Sequence, residues 1–187
     1  MNTFKRLFAL LPFVLLGMTA MAQNADNGLK ETGNAASNFF AERLYAHIGF
    51  RASTKHDGMT PAEFTAEIGY KFIPRMYAYF HASGLYGLYD KDHGQTYTKT
   101  TNILGGGLGY TLYKPDNGAI SIDLRGTVAA SVGKADWKQT SYDAMLLFRI
   151  GRGTLKADIG IGYKHITSHT AGIGAYNGLA VSLGFGF

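Results

Sequence analysis

The chain of 187 residues contains no cysteine. That excludes a disulfide framework, thiol catalysis and lipid attachment through a cysteine, and it leaves a metal site only His, Asp and Glu. Charge is sparse: Asp, Glu, Lys and Arg make up 17% of the residues, and the formal net charge is +5. The basic residues are spread along the chain, so nucleic acid is not an expected partner. There are four prolines and one tryptophan. After the first two dozen residues no apolar run approaches the roughly 20 residues that a membrane-spanning helix needs. Any membrane span would have to be built of strands.

What the chain does have begins with a three-part leader. Lys5 and Arg6 form a basic start, Leu7 to Met18 a short apolar run broken by Pro12, and Ala20-Met21-Ala22 a small-x-small cleavage site before Gln23. Residues 1–22 are therefore expected to be a signal peptide. Its removal would take Lys5 and Arg6 with it and lower the formal charge from +5 to +3. Residues 23–38 are polar, rich in Gly and Asn, and aperiodic, which reads as a flexible periplasmic lead-in. A short amphipathic piece around Phe39-Phe40 would open the remaining segment, 39–187.

The end of the chain sets the pattern for that segment. From Leu179, the residues Val181, Leu183, Phe185 and Phe187 alternate with Ala180, Ser182, Gly184 and Gly186. Side chains on a strand point to opposite faces in turn, so one face is apolar and the other small. Seven earlier segments repeat the alternation. Ile120, Ile122, Leu124, Val128, Ala130 and Val132, for example, oppose Ser121, Asp123, Arg125, Thr127 and Ser131. Connections alternate too. Short turns are expected at Ile73-Pro74-Arg75, Lys114–Gly118 and Arg152-Gly153, and longer loops at Ser53–Pro61, Asp90–Lys99, Gly133–Gln139 and Thr167–Asn177. Eight period-two segments with turns on one side and loops on the other predict an all-β fold, an eight-stranded antiparallel up-and-down transmembrane β-barrel.

Alternation alone does not say which face is inside, because a soluble lipocalin-like barrel uses the same period. The polar face is crowded with residues lacking bulk, among them Gly105, Gly107, Gly109, Gly160, Gly162, Gly184 and Gly186. A narrow lumen favours such residues, so the apolar face is assigned outward, to lipid. Arg43, Arg51, Glu67, Lys71, Asp123, Arg125, Asp143, Arg149, Lys156, Asp158 and Lys164 then point inward. Both signs are present, which predicts a plug of paired charges rather than a pore.

With its Ala-Met-Ala-Gln start and Phe-Gly-Phe end, the chain resembles small eight-stranded outer-membrane proteins of the OmpA/OmpX type, especially the small barrels of Bacteroidota. The resemblance implies an outer-membrane location in a Gram-negative bacterium with both termini periplasmic. Phe187 would then be an assembly signal read by the barrel assembly machinery. It further implies lipid and lipopolysaccharide as surroundings, a monomer, no cofactor, and a structural or surface-interaction role.

A second, local resemblance concerns Tyr163-Lys-His-Ile-Thr-Ser-His-Thr-Ala-Gly172 and Asn177-Gly178, which look like the end of the outer-membrane lipid A deacylases. Those barrels carry a His-x-Ser pair on one strand face and a later Glu that orients the His. The chemistry needs a base beside a hydroxyl and a carboxylate to set the imidazole. Here the candidates are His165, Thr167 and Ser168. Ser168 falls on the opposite face, and no Asp or Glu follows Asp158. The triad looks incomplete, and the sequence predicts a non-enzymatic barrel, with an outer-leaflet esterase as the alternative and a narrow pore behind it. Among the other histidines, His47 and His81 share the lumen face, while His56 and His93 sit beside Asp57 and Asp92 in loops. No metal motif is expected from either pair.

Overall fold

The structure, a computed structural model, describes residues 43–89, 98–115, 118–151 and 155–187. The expected signal peptide, the lead-in, the Phe39-Phe40 piece and the His93 loop lie outside the described residues. Eight strands follow in order: β1 Leu44–Ser53, β2 Met59–Ile73, β3 Met76–Tyr89, β4 Thr98–Tyr113, β5 Ile120–Val132, β6 Gln139–Ile150, β7 Lys156–Ser168 and β8 Tyr176–Gly186. Each pairs antiparallel with the next, and β8 pairs with β1, closing the barrel. Closure runs from His47 opposite Gly186 to Ser53 opposite Ala180. The Phe187 backbone extends it, exchanging hydrogen bonds with Ala46 at 3.0 and 3.2 Å.

The barrel is inverted relative to a water-soluble protein. Phe64, Ile68, Leu108, Ile159, Val181 and Leu183 all stand on the outer wall, each more than half exposed, while Glu67, Asp123, Arg125 and Lys164 are at most 5% exposed inside. Every strand keeps this parity because consecutive side chains leave a strand on opposite sides. Glycine on the inward face makes room for rings. A Cβ on Gly109 would land inside the ring of Tyr77, and one on Gly107 inside that of Tyr79. The two tyrosines on β3 therefore lie across the bare backbone of β4, which is the packing role predicted for those glycines.

One connection differs from the sequence expectation. The segment Ser53–Pro61 reads as a long loop, yet β2 begins at Met59. His56 and Met59 exchange backbone hydrogen bonds at 2.9 Å around Asp57 and Gly58, whose φ values are +47° and +77°. Two central residues at positive φ make the primed turn whose twist suits a hairpin, and Asp-Gly favours it. Pro61 is tolerated inside the longer strand because it lies one residue beyond the last β1–β2 pair, Ala52 opposite Ala62. The consequence is that Glu63 joins the barrel wall, facing inward and buried.

Candidate functional site

Two places concentrate chemistry, the lumen and the outer wall near the loops. In the lumen, Glu67 is the hub. It accepts from the Tyr45 hydroxyl at 2.8 Å and from His81 Nδ1 at 3.0 Å, pairs with the Arg125 guanidinium, and lies 3.4 Å from His47 Nδ1. The other face of the His47 ring meets Asp158, with Nε2 3.0 Å from its Oδ2. A second cluster sits towards the loops. Arg51 bridges Glu63 at 3.0 Å and Asp143 at 3.1 Å, and Lys164 bridges the same two carboxylates at 3.0 and 3.3 Å. A third lies towards the turns, where Asp123 accepts from Tyr77 at 3.0 Å and pairs with Arg149 at 3.4 Å.

Aromatic rings fill the space between these pairs. Tyr45 stacks on Tyr77 with centroids 4.6 Å apart, and Arg125 lies 4.2 Å over the Tyr79 ring. Guanidinium groups tolerate such desolvated, ring-faced positions better than ammonium groups do.

Most of the sequence-predicted inward charges meet here. Arg51, Glu67, Asp123, Arg125, Asp143, Arg149, Asp158 and Lys164 are buried and paired. Lys71 and Lys156 are less buried and lie towards the turns, where Lys156 Nζ donates to the Gly118 carbonyl at 2.5 Å. Arg43 precedes β1 and is half-buried. Sequence reasoning missed Glu63, because it treated the residues just before it as loop. His47 and His81 converge on Glu67, and no metal-holding group of His, Asp and Glu occurs among the described residues.

Towards the loops the lumen turns apolar. Met59, Leu85, Ile103, Ala129, Ile166 and Tyr176 face inward around Trp137, which is fully buried. Trp137 comes from the β5–β6 loop, and its Nε1 donates to Ser168 Oγ at 3.1 Å. The Tyr176 hydroxyl donates to the Thr54 carbonyl at 2.6 Å, tying β8 to the first hairpin. This cap was not foreseen from the sequence. Its signal was there in Ile103 and Ile166, large apolar residues on the parity of Gly105 and Lys164. Ser168 is thereby accounted for: it faces the lumen and holds Trp137.

On the outer wall the register aligns Val128, Tyr142, His165 and Asn177 in one row across β5 to β8. Gly126, Ala144, Tyr163 and Leu179 form the next row towards the turns, and Thr167 stands one row nearer the loops beside Thr140. Four polar side chains bond in series. His165 Nε2 is 3.1 Å from Thr167 Oγ1, and His165 Nδ1 is 2.6 Å from Asn177 Oδ1. The Tyr163 hydroxyl donates to the same Asn177 oxygen at 3.1 Å. The sequence reading sought a carboxylate after Asp158 to orient His165 and found none. An amide across the strand pair occupies that place instead.

No protein-family model, curated protein or solved structure matches this chain. Its closed eight-stranded antiparallel barrel is compatible with the OmpX-type fold that the sequence resembles.

Proposed function

We propose that this barrel spans the outer membrane of a Gram-negative envelope as a monomer, turns and termini on the periplasmic side, and works as a closed, rigid scaffold that presents its outer rim and loops. The observation that carries this reading is the inverted polarity: a continuous apolar exterior around a charged interior. Water would penalise such an exterior, whereas lipid removes the penalty. On β6 the outward face from Tyr142 to Ile150 interposes only Ala144, Leu146 and Phe148. Those nine residues match the roughly 9–11 that a tilted strand needs to cross a bilayer. The surroundings would be outer-membrane lipid and lipopolysaccharide, and insertion would depend on the barrel assembly machinery.

The interior supports a scaffold over a pore. Ion pairs occupy the middle, and the Trp137 cluster fills the loop end. Eight strands leave an interior just wide enough for side chains. Reconstituted into planar bilayers, the folded protein should give no steady single-channel current, and its gel mobility should shift on heating. A reproducible porin-sized current would overturn the closed lumen. Protein that stays folded and dispersed without detergent would overturn the membrane reading itself.

A further inference from the structure

We infer that the turn-end mouth of the barrel binds a phosphate-bearing anion, held by Lys71, Lys114 and Lys156. Lys71 lies near the end of β2 on the inward parity of Glu67 and Gly69, directly across from Tyr77 on β3. Lys156 opens β7 on the parity of Asp158, and its Nζ reaches to the β4–β5 turn, where it donates to the Gly118 carbonyl at 2.5 Å. Lys114 follows the last residue of β4 into the same turn. Lys71 is within Coulombic reach of Arg149, Lys114 and Lys156, and Lys156 within reach of Lys114 and Arg149. Cations from β2, the β4–β5 turn, β6 and β7 therefore gather around one mouth.

Their compensation is short. Asp123 is the carboxylate that acts on both Lys71 and Lys156. Its Oδ2 already accepts from the Tyr77 hydroxyl at 3.0 Å and pairs with Arg149 at 3.4 Å. None of the three lysines forms an ion pair with a described residue, although Lys71 and Lys156 are half-buried. Deeper in the lumen Arg51, Arg125 and Lys164 each meet a carboxylate, so the surplus of positive charge is confined to the mouth. Like charges held together repel, and partial burial removes the water that would screen them. An anion seated between them turns that repulsion into attraction.

The donor set selects the anion. Ammonium groups are compact charges with rotatable donors, which suit the several oxygens and multiple charge of a phosphate monoester or diphosphate. A planar carboxylate matches a guanidinium fork better, and the fork of Arg149 is already engaged by Asp123 and Tyr77. The phosphate has two possible sources, a free phosphorylated solute or the headgroup of a phospholipid at the rim. The headgroup source rests on the function proposed above, whereas the cation cluster stands without it.

The test uses the full-length protein folded in a maltoside detergent. It is titrated with urea in pyrophosphate and in sodium chloride of matched ionic strength, and the folded fraction is read from heat-shifted gel mobility. Pyrophosphate should raise the midpoint, because a ligand that binds only the folded state stabilises it by mass action. Lys71→Met should raise the midpoint in chloride, since one of the crowded charges is gone. The same change should weaken pyrophosphate binding, measured by calorimetry, at least about tenfold, as expected for losing one charge-assisted hydrogen bond. Lys114→Gln, on an exposed turn, should weaken binding in the same direction, and it decides the matter if Lys71→Met does not fold. Vesicles with and without phosphatidic acid separate the sources. A midpoint raised by phosphatidic acid in wild type alone, with no further gain from pyrophosphate, identifies the headgroup. A pyrophosphate gain undiminished by phosphatidic acid identifies the free anion. Equal midpoints in pyrophosphate and chloride would overturn the site while leaving the barrel intact. So would an equal pyrophosphate gain in wild type and Lys71→Met, or a lower midpoint for that variant in chloride, which would mean that Lys71 already has a partner. Protein that binds pyrophosphate in detergent yet fails to insert into vesicles would remove the lipid source and the membrane reading but keep the site.

Discussion

Glu67 offers the sharpest test of how the lumen is held. Its side chain is wholly enclosed and serves Tyr45, His81, His47 and Arg125 together. Glu67→Ala would leave the Arg125 guanidinium buried with no carboxylate beside it, since its remaining close neighbours are the rings of Tyr79 and Tyr45. Breaking one side of a buried ion pair costs about 3–5 kcal/mol, much of it the penalty of the stranded charge. Glu67→Gln keeps the volume and one acceptor oxygen, so it should cost less, about 1.5–3 kcal/mol for the weakened charged hydrogen bonds. The decisive variant is the double change Glu67→Leu with Arg125→Met. Removing both charges removes the stranded one, so the double variant should be more stable than Glu67→Ala although it has lost more polar contacts. Urea titration of folding into detergent micelles or vesicles, read by the fraction with shifted gel mobility, gives each value. A loss below about 1 kcal/mol for Glu67→Ala would mean that water reaches Arg125, since screened pairs are worth that little. The lumen would then not be the closed interior proposed above.

Trp137 is the only tryptophan, so its fluorescence reports on the apolar cap directly. Emission should be blue-shifted and shielded from acrylamide in the folded protein, and a red, readily quenched spectrum would refute the cap. Trp137→Ala should cost about 3–5 kcal/mol in the same titration, as expected for emptying a fully buried ring site. Leu124→Arg and Ile159→Arg, both on the outer wall, should each cost roughly 2–4 kcal/mol in lipid vesicles if they lie near the midplane. Harmless arginines there would reverse the assignment of faces to lipid and lumen.

Period-two alternation made the barrel legible, because any chain that buries one strand face must repeat every second residue. The same parity put Arg51, Glu67, Asp143 and Lys164 inside together without any structural input. Glu63 escaped because Pro61 beside the Asp57-Gly58 turn suggested loop, although Asp-Gly also marks a tight hairpin. Trp137 escaped for a different reason. It folds back from a loop, where no period constrains direction. Asn177 was present in the quoted motif, but its contact with His165 depends on the exact β7–β8 register. Strand register across the seven-residue gap between Ser168 and Tyr176 is set by loop packing and cross-strand pairs, which a linear pattern does not contain.

The choice of an amide beside His165 has a physical logic on the membrane reading. The carboxylates of β5 to β7 that pair in the lumen, Asp123, Asp143 and Asp158, are all buried on the inner face. Asn177 stands on the outer wall of β8, directly across from His165 and bonded by the Tyr163 hydroxyl. An ionised side chain at a lipid-facing position must be desolvated or reach the headgroups, and an unpaired one is costly. An amide orients the imidazole through one oxygen while remaining neutral, and its hydrogen bonds from His165 and Tyr163 satisfy that oxygen locally. Asn177→Asp should therefore lower folding stability in vesicles, read by the same titration, and unchanged stability would refute a lipid-facing position for this side chain.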